Sequence, residues 1–217
     1  MFQKMPSGGR WVEEDPDPDA FFKFNPLYDL DPNVRFMTAC INGDLSHVID
    51  SLGFHADVNK PGLDNLTGLM HAAREGHDAV VEVLVAREEC DINLSDKDGD
   101  TAFSHACCSG SYRVAKILLS CEGLDINTVD VDLVTPLHKA IANNHIDIVQ
   151  LLLEHPELKV RFIGHLQVFL NHPSQVNAKN KYGFTALILA AGMGNFEIVK
   201  LLTGSPRFEL LYPRPVL

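Results

Sequence analysis

Between Asn33 and Thr203 the apolar residues fall in short clusters, two per cycle, at the spacing of one helix face. The cycle is plainest after Thr67. Leu69, Ala72 and Ala73 form a first cluster, and Val80, Val81, Leu84 and Val85 form a second. Gly76 separates the two, as a residue able to end a helix in a left-handed conformation. Asp91-Ile92-Asn93 and the turn Asp-Lys-Asp-Gly at 96–99 follow. That interval is too short for a third helix and suits a tight hairpin.

The cycle recurs. TGLMHAAREGH starts at Thr67, TAFSHACCSGS at Thr101, TPLHKAIANNH at Thr135 and TALILAAGMGN at Thr185. The first three starts are 34 residues apart and the last gap is 50, one period plus a further 16. Asn59, Asn93, Asn127 and Asn177 each stand eight residues before one of these threonines. A fixed period of this length predicts a stacked array in which each unit covers its neighbour's apolar face. Each Thr is placed to cap its first helix through the hydroxyl. Pro136 occupies the first helical position, where proline is best tolerated. Gly110 and Gly194 repeat the stop of Gly76, and Asn144, the next best residue for that conformation, takes it in the remaining copy.

These motifs resemble the ankyrin repeat. Asp96, Gly99, Thr101, Ala106, Gly110, Val114, Leu118, Leu119 and Asp125-Ile126-Asn127 match its pattern in one unit. Thr135, Pro136, Leu137, His138, Ala140, His145, Ile148, Val149 and Leu152 match it in the next. The resemblance implies an all-α solenoid of about five helix-turn-helix repeats joined by hairpins, over 33–203. The repeats run at about 33–58, 59–92, 93–126, 127–161 and 177–203, with an atypical first unit at the entry end. Leu133 departs from the pattern by standing where the hairpin usually has Gly. The family also implies that Asn127, eight residues after Leu119 in an Asp-hydrophobic-Asn setting, is a candidate for hydroxylation.

Three segments fall outside the period. Residues 1–32 carry acidic runs, prolines at 16, 18, 26 and 32 that forbid a long helix, and the aromatic cluster Phe21, Phe22, Phe24 and Tyr28. They read as a flexible acidic arm, as a cover for the first repeat or as a linear motif for a partner. Residues 162–176 hold Phe162, Ile163, Leu166, Phe169 and Leu170 on one helical face, ended by Asn171-His172-Pro173, which predicts an inserted short helix. Such a helix must pack on something, either the repeats or a partner. In the tail, 204–217, Phe208, Leu210, Leu211 and Tyr212 are expected to cap the last helix.

The formal charge of −11 argues against nucleic acid or an anionic membrane as partner, since both need a basic face. Five cysteines without paired spacing read as reduced thiols, which places the chain in the cytoplasm or nucleus. No apolar run approaches the roughly 20 residues of a membrane span. His105, Cys107 and Cys108 are the only dense set of metal-type ligands, and no second pair completes a four-ligand site. Cys107 belongs to the core register, with His105 and Cys108 on the open side of the helix. No phosphate loop, nucleophile elbow or zinc-protease motif occurs. No enzyme activity and no cofactor are therefore expected.

The resemblance implies a protein partner held on the concave face, made from hairpin tips and the open side of each first helix, by a monomeric chain. Carried over by register, the tip candidates are Lys97, Asp98 and Asp100, then Val131, Asp132 and Val134, then Tyr182 and Phe184. The helix candidates are Arg74, Glu75, Cys108 and Asn143. One tip is charged, whereas the next two are apolar or aromatic, as interface hot spots are. The expected function is a non-catalytic interaction module. A regulatory or inhibitory subunit and an effector acting in a foreign cell are the alternatives.

Overall fold

A computed structural model describes residues 31–155 and 177–204. The helices come in pairs: α1 (Pro32–Asn42) with α2 (Leu45–Gly53), α3 (Gly68–Glu75) with α4 (Asp78–Val85), and α5 (Ala102–Ser109) with α6 (Tyr112–Leu119). Then follow α7 (Pro136–Ala142) with α8 (Ile146–Glu154), and α9 (Ala186–Gly192) with α10 (Phe196–Gly204). Odd helices pack on odd neighbours and even on even, so each pair stacks on the next. Among the described residues the only β-type pairing is an isolated antiparallel bridge between Ser95 and Thr101, inside a hairpin. The architecture is the stacked array that the 34-residue period predicts and the all-α repeat solenoid that the ankyrin resemblance implies. The predicted arm, inserted helix and tail cap lie outside the described residues.

Local chemistry starts each inner helix. The hydroxyls of Thr67, Thr101, Thr135 and Thr185 accept from the backbone N–H of Met70, Ser104, His138 and Ile188 at 3.3, 3.2, 3.3 and 3.4 Å. Each bond satisfies one of the N–H groups that a helix start leaves without a partner. At the far end Gly76, Gly110, Asn144 and Gly194 all take positive φ, between 63° and 82°. The chain then turns directly into the outer helix.

The small residues of the inner helices do the packing. Ala72, Ala73, Ala106, Cys107, Ala140 and Ala190 are fully buried, which lets neighbouring helix backbones come close. Against them pack Val80, Val81 and Leu84 of α4, Val114 and Leu118 of α6, and Ile148, Val149 and Leu152 of α8. Burial of one such Leu or Ile side chain contributes roughly 1.5–3 kcal/mol.

Two asparagines of the 34-residue ladder show their use here. Asn59 Oδ1 accepts from Asp91 N–H at 2.9 Å and its amide donates to Glu89 O at 2.6 Å. One repeat on, Asn93 Oδ1 accepts from Asp125 N–H at 2.9 Å and its amide donates to Gly123 O at 2.8 Å. Each Asn side chain therefore ties the end of one outer helix to the next. The period also survives the 16 extra residues. Helix α9 packs on α7, α10 packs on α8, and Lys181 N–H donates to Asp132 O at 2.9 Å.

Leu133 carries the local cost of its departure from Gly. It takes φ 59°, where Gly99 and Gly183 of the neighbouring hairpins take 87° and 81°. The left-handed region costs a β-carbon residue roughly 1–2 kcal/mol, partly offset by the greater unfolded-state freedom of Gly. Leu133→Gly should therefore raise stability by up to about 1 kcal/mol, whereas Thr135→Ala, which removes a cap, should lower it by about 1 kcal/mol. Urea unfolding of both variants checks the pair of opposite signs.

Candidate functional site

The hairpins between repeats are built around one acceptor each. Asp96 Oδ1 accepts from the N–H groups of Asp98 and Asp100, both at 2.9 Å. Asp130 Oδ1 does the same for Asp132 and Val134 at 2.9 Å. Asn180 Oδ1 accepts from Tyr182 and Phe184 at 3.0 Å. Each of these loops is thereby shaped by its own side chain. In the second repeat Gly62 stands at this position, and Asp64 and Asn65 take φ 58° and 63° instead.

The tips are chained to one another. The N–H groups of Lys97, Val131 and Lys181 donate to the carbonyls of Asp64, Asp98 and Asp132, each at 2.9 Å. Two of these backbone rungs carry a side-chain ion pair as well. Lys97 Nζ meets Asp64 at 2.9 Å, and Lys181 Nζ pairs with Asp132 while lying 5.0 Å from the Tyr182 ring centre. Hydrogen bonding to the facing Asp is the main reason that both ammonium groups sit above their usual pKa. These pairs are open to water, so each one matters more for orientation than for stability.

Behind the tips lies a second row that the sequence reading did not single out. His105 Nε2 is 2.9 Å from Asp96 Oδ2. Lys139 Nζ lies 2.9 Å from Asp100 Oδ2 and 2.8 Å from Asp130 Oδ2, with all three side chains no more than 15 % exposed. Burial pulls the Lys139 ammonium down, but hydrogen bonds to Asp130 and Asp100 outweigh it and its pKa is raised. Burial pushes the Asp100 carboxyl up, with the Lys139 contacts opposing. The signal for this row was present. Asp96 and His105, like Asp130 and Lys139, are nine residues apart in consecutive repeats. Gly62 and Asn180 break the pattern on either side, so it never stood out as a period.

The tip residues singled out by sequence divide into two kinds. Lys97, Asp98, Val131, Tyr182 and Phe184 are exposed, Val131 at 70 % and Tyr182 at 66 %. Asp100, Asp132 and Val134 are half-buried, and the two carboxylates are held by lysines. On the inner helices Arg74 Nε meets Glu75 Oε1 at 3.1 Å, and both side chains stay exposed. Asn143 Nδ2 donates to Lys139 O at 2.9 Å, and Cys108 beside it is exposed.

The candidate metal-type residues do not converge. Cys107 is fully buried and its thiol is pushed far up by burial, whereas Cys108 faces solvent. His105, expected on the open side of the helix, is instead half-buried against Asp96, because that carboxylate offers it a partner. Among the described residues no three His, Cys, Asp or Glu side chains gather as a metal site. His138 is a structural group. Its Nδ1 accepts from Thr135 N–H at 3.2 Å, and burial lowers its pKa.

The Lys139 triad yields a test with a definite sign. Lys139→Met leaves Asp100 and Asp130 half-buried without their cation, which should cost about 3–5 kcal/mol at neutral pH. Asp100 already titrates above its usual range, and loss of Lys139 raises it further. A carboxyl with a raised folded-state pKa binds its proton more readily folded than unfolded. It therefore favours folding at low pH, and that gain is lost as pH climbs through the raised value. The gap in stability between the variant and the parent should narrow as pH falls from 7 towards 4, as urea melts at each pH would show.

Among the described residues no helix is long and apolar enough to cross a membrane. No curated protein gives a significant match. A family model described as ankyrin repeats (3 copies) matches residues 36–130 and again 122–209. With the paired helices, the threonine caps and the hairpin ladder in place across the described part of those residues, the chain belongs to the ankyrin-repeat family.

Proposed function

We propose that this chain, like ankyrin repeats in general, is a protein–protein interaction module, and that it binds a partner protein through its hairpin tips and the adjoining open side of its inner helices, without catalysis of its own, in the cytoplasm or nucleus. The observation that supports this most is the set of exposed apolar side chains on two consecutive tips. Val131 and Leu133 stand on one, Tyr182 and Phe184 on the next, at 70, 51, 66 and 44 % exposure. The two loops carrying them are held by internal Asp130 and Asn180 bonds and joined by the Lys181 rung. A rigid apolar and aromatic surface of this kind loses little freedom on binding. Arg74, Glu75, Lys97, Asp98, Cys108 and Asn143 extend it with polar groups, whereas Asp100 and Val134 support it from behind and Asp132 holds Lys181 at the tip. The free state of Cys40, Cys90, Cys107, Cys108 and Cys121 suits a reducing setting.

The test is affinity capture from native lysate with the parent chain and a Val131→Ala/Tyr182→Ala/Phe184→Ala variant. A protein retained by the parent and lost by the variant, with melting temperature unchanged within about 2 °C, is the expected result. A variant that melts much earlier would make the tips structural. Unaltered capture would place binding elsewhere on the chain.

A further inference from the structure

The tip ladder has three rungs, and the middle one is incomplete. Asp64, Asp98 and Asp132 occupy the same position in successive hairpins. Each accepts through its carbonyl from the residue at the next tip. At Asp64 and Asp132 that residue is a lysine whose ammonium closes on the carboxylate. At Asp98 it is Val131. Lys97, next to Asp98, is already committed to Asp64. Among the described residues no cation stands within ion-pair range of Asp98, and the residue is exposed.

The surroundings sharpen the imbalance. Asp64, Asp96, Asp98, Asp100, Asp130 and Asp132 share Lys97, Lys139 and Lys181, with His105 against Asp96. Six carboxylates face three ammonium groups. The tip row as a whole therefore carries a net negative charge, and the surface beside Asp98 is apolar, with Val131 70 % and Leu133 51 % exposed. Tyr182, steadied by Lys181, forms the far edge.

We propose that the gap at Asp98 is the specificity position of the surface. Resting on the interaction reading above, it takes a Lys or Arg of a partner protein, whose neighbouring apolar side chain lies on Val131 and Tyr182. The partner's cation completes the rung that Val131 leaves open, and the apolar residue covers the exposed tips. Charge decides between occupants. A nucleic acid would bring phosphate against six carboxylates. A second copy of this chain carries the same formal −11 and would repel the first. A basic and apolar protein segment satisfies both features at once.

A displayed library of random twelve-residue peptides, selected on the full chain at low salt, tests this. Selected peptides should share a Lys or Arg beside an apolar residue. Asp98→Asn should weaken them roughly five- to tenfold. Val131→Lys should abolish binding, because the new ammonium closes the rung as Lys97 and Lys181 do, and its melting temperature should hold or rise. In Asp98→Lys, selection should turn to acidic peptides. Peptides without a basic residue, or binding indifferent to Val131→Lys, would overturn the assignment. Concentration-dependent self-association that Val131→Lys removes would overturn it in favour of a second copy. If the alanine triple variant loses a lysate partner whose binding ignores Asp98→Asn and Val131→Lys, the interaction reading stands and this assignment falls.

Discussion

None of these helices is long enough to stand alone. They run from seven to eleven residues, below the roughly 12–15 at which an isolated helix becomes even marginal in water. Everything else follows from that shortfall. Each pair must cover its apolar side with the next pair, and the fit depends on small residues at the centre of the inner helices. Gly68 shows how little room is left, since a Cβ built there would lie 2.7 Å from the Phe36 ring and 2.9 Å from Cys40 Sγ. Stability in such a stack is a sum of neighbour terms, so damage at one junction spreads by loss of cover and not by distortion at a distance.

The fold was legible because its devices are local and repeated. Thr101 and Thr135 cap, Gly110 and Asn144 stop, Ala106 and Ala140 pack, each at a constant offset. Much of the tip surface was legible for the same reason. Register alone placed Lys97, Val131 and Tyr182 at exposed positions. What register could not supply was pairing between repeats. Whether Asp100 faces solvent or Lys139 depends on a residue 39 positions away on another helix. Thus Asp100 looked like a surface acid and proved to be an internal ligand of Lys139. His105 was likewise drawn inward by Asp96.

The tips and the core obey different rules. Core positions are interchangeable in kind, with Val81, Ala115 and Val149 filling equivalent fully buried sites. Tip positions are interchangeable in geometry but not in charge, because the Asp96, Asp130 and Asn180 brackets hold the loop shape whatever the side chains outside them. This separation lets a surface vary while its scaffold stays fixed. It also explains how Leu133 is tolerated in a left-handed conformation, since the loop bonds around it hold the backbone regardless.

The long interval between the fourth and fifth repeats has a consequence for how the chain is joined. The packing of α7 on α9 and α8 on α10, and the backbone bond from Lys181 to Asp132, are made by residues on either side of 156–176. The stacking register of the last two repeats is therefore the same as at the other junctions, although 16 more residues separate them in sequence. The stack is continuous in space across a junction at which the chain is not periodic in sequence, so spatial order and sequence period are separable properties of this solenoid.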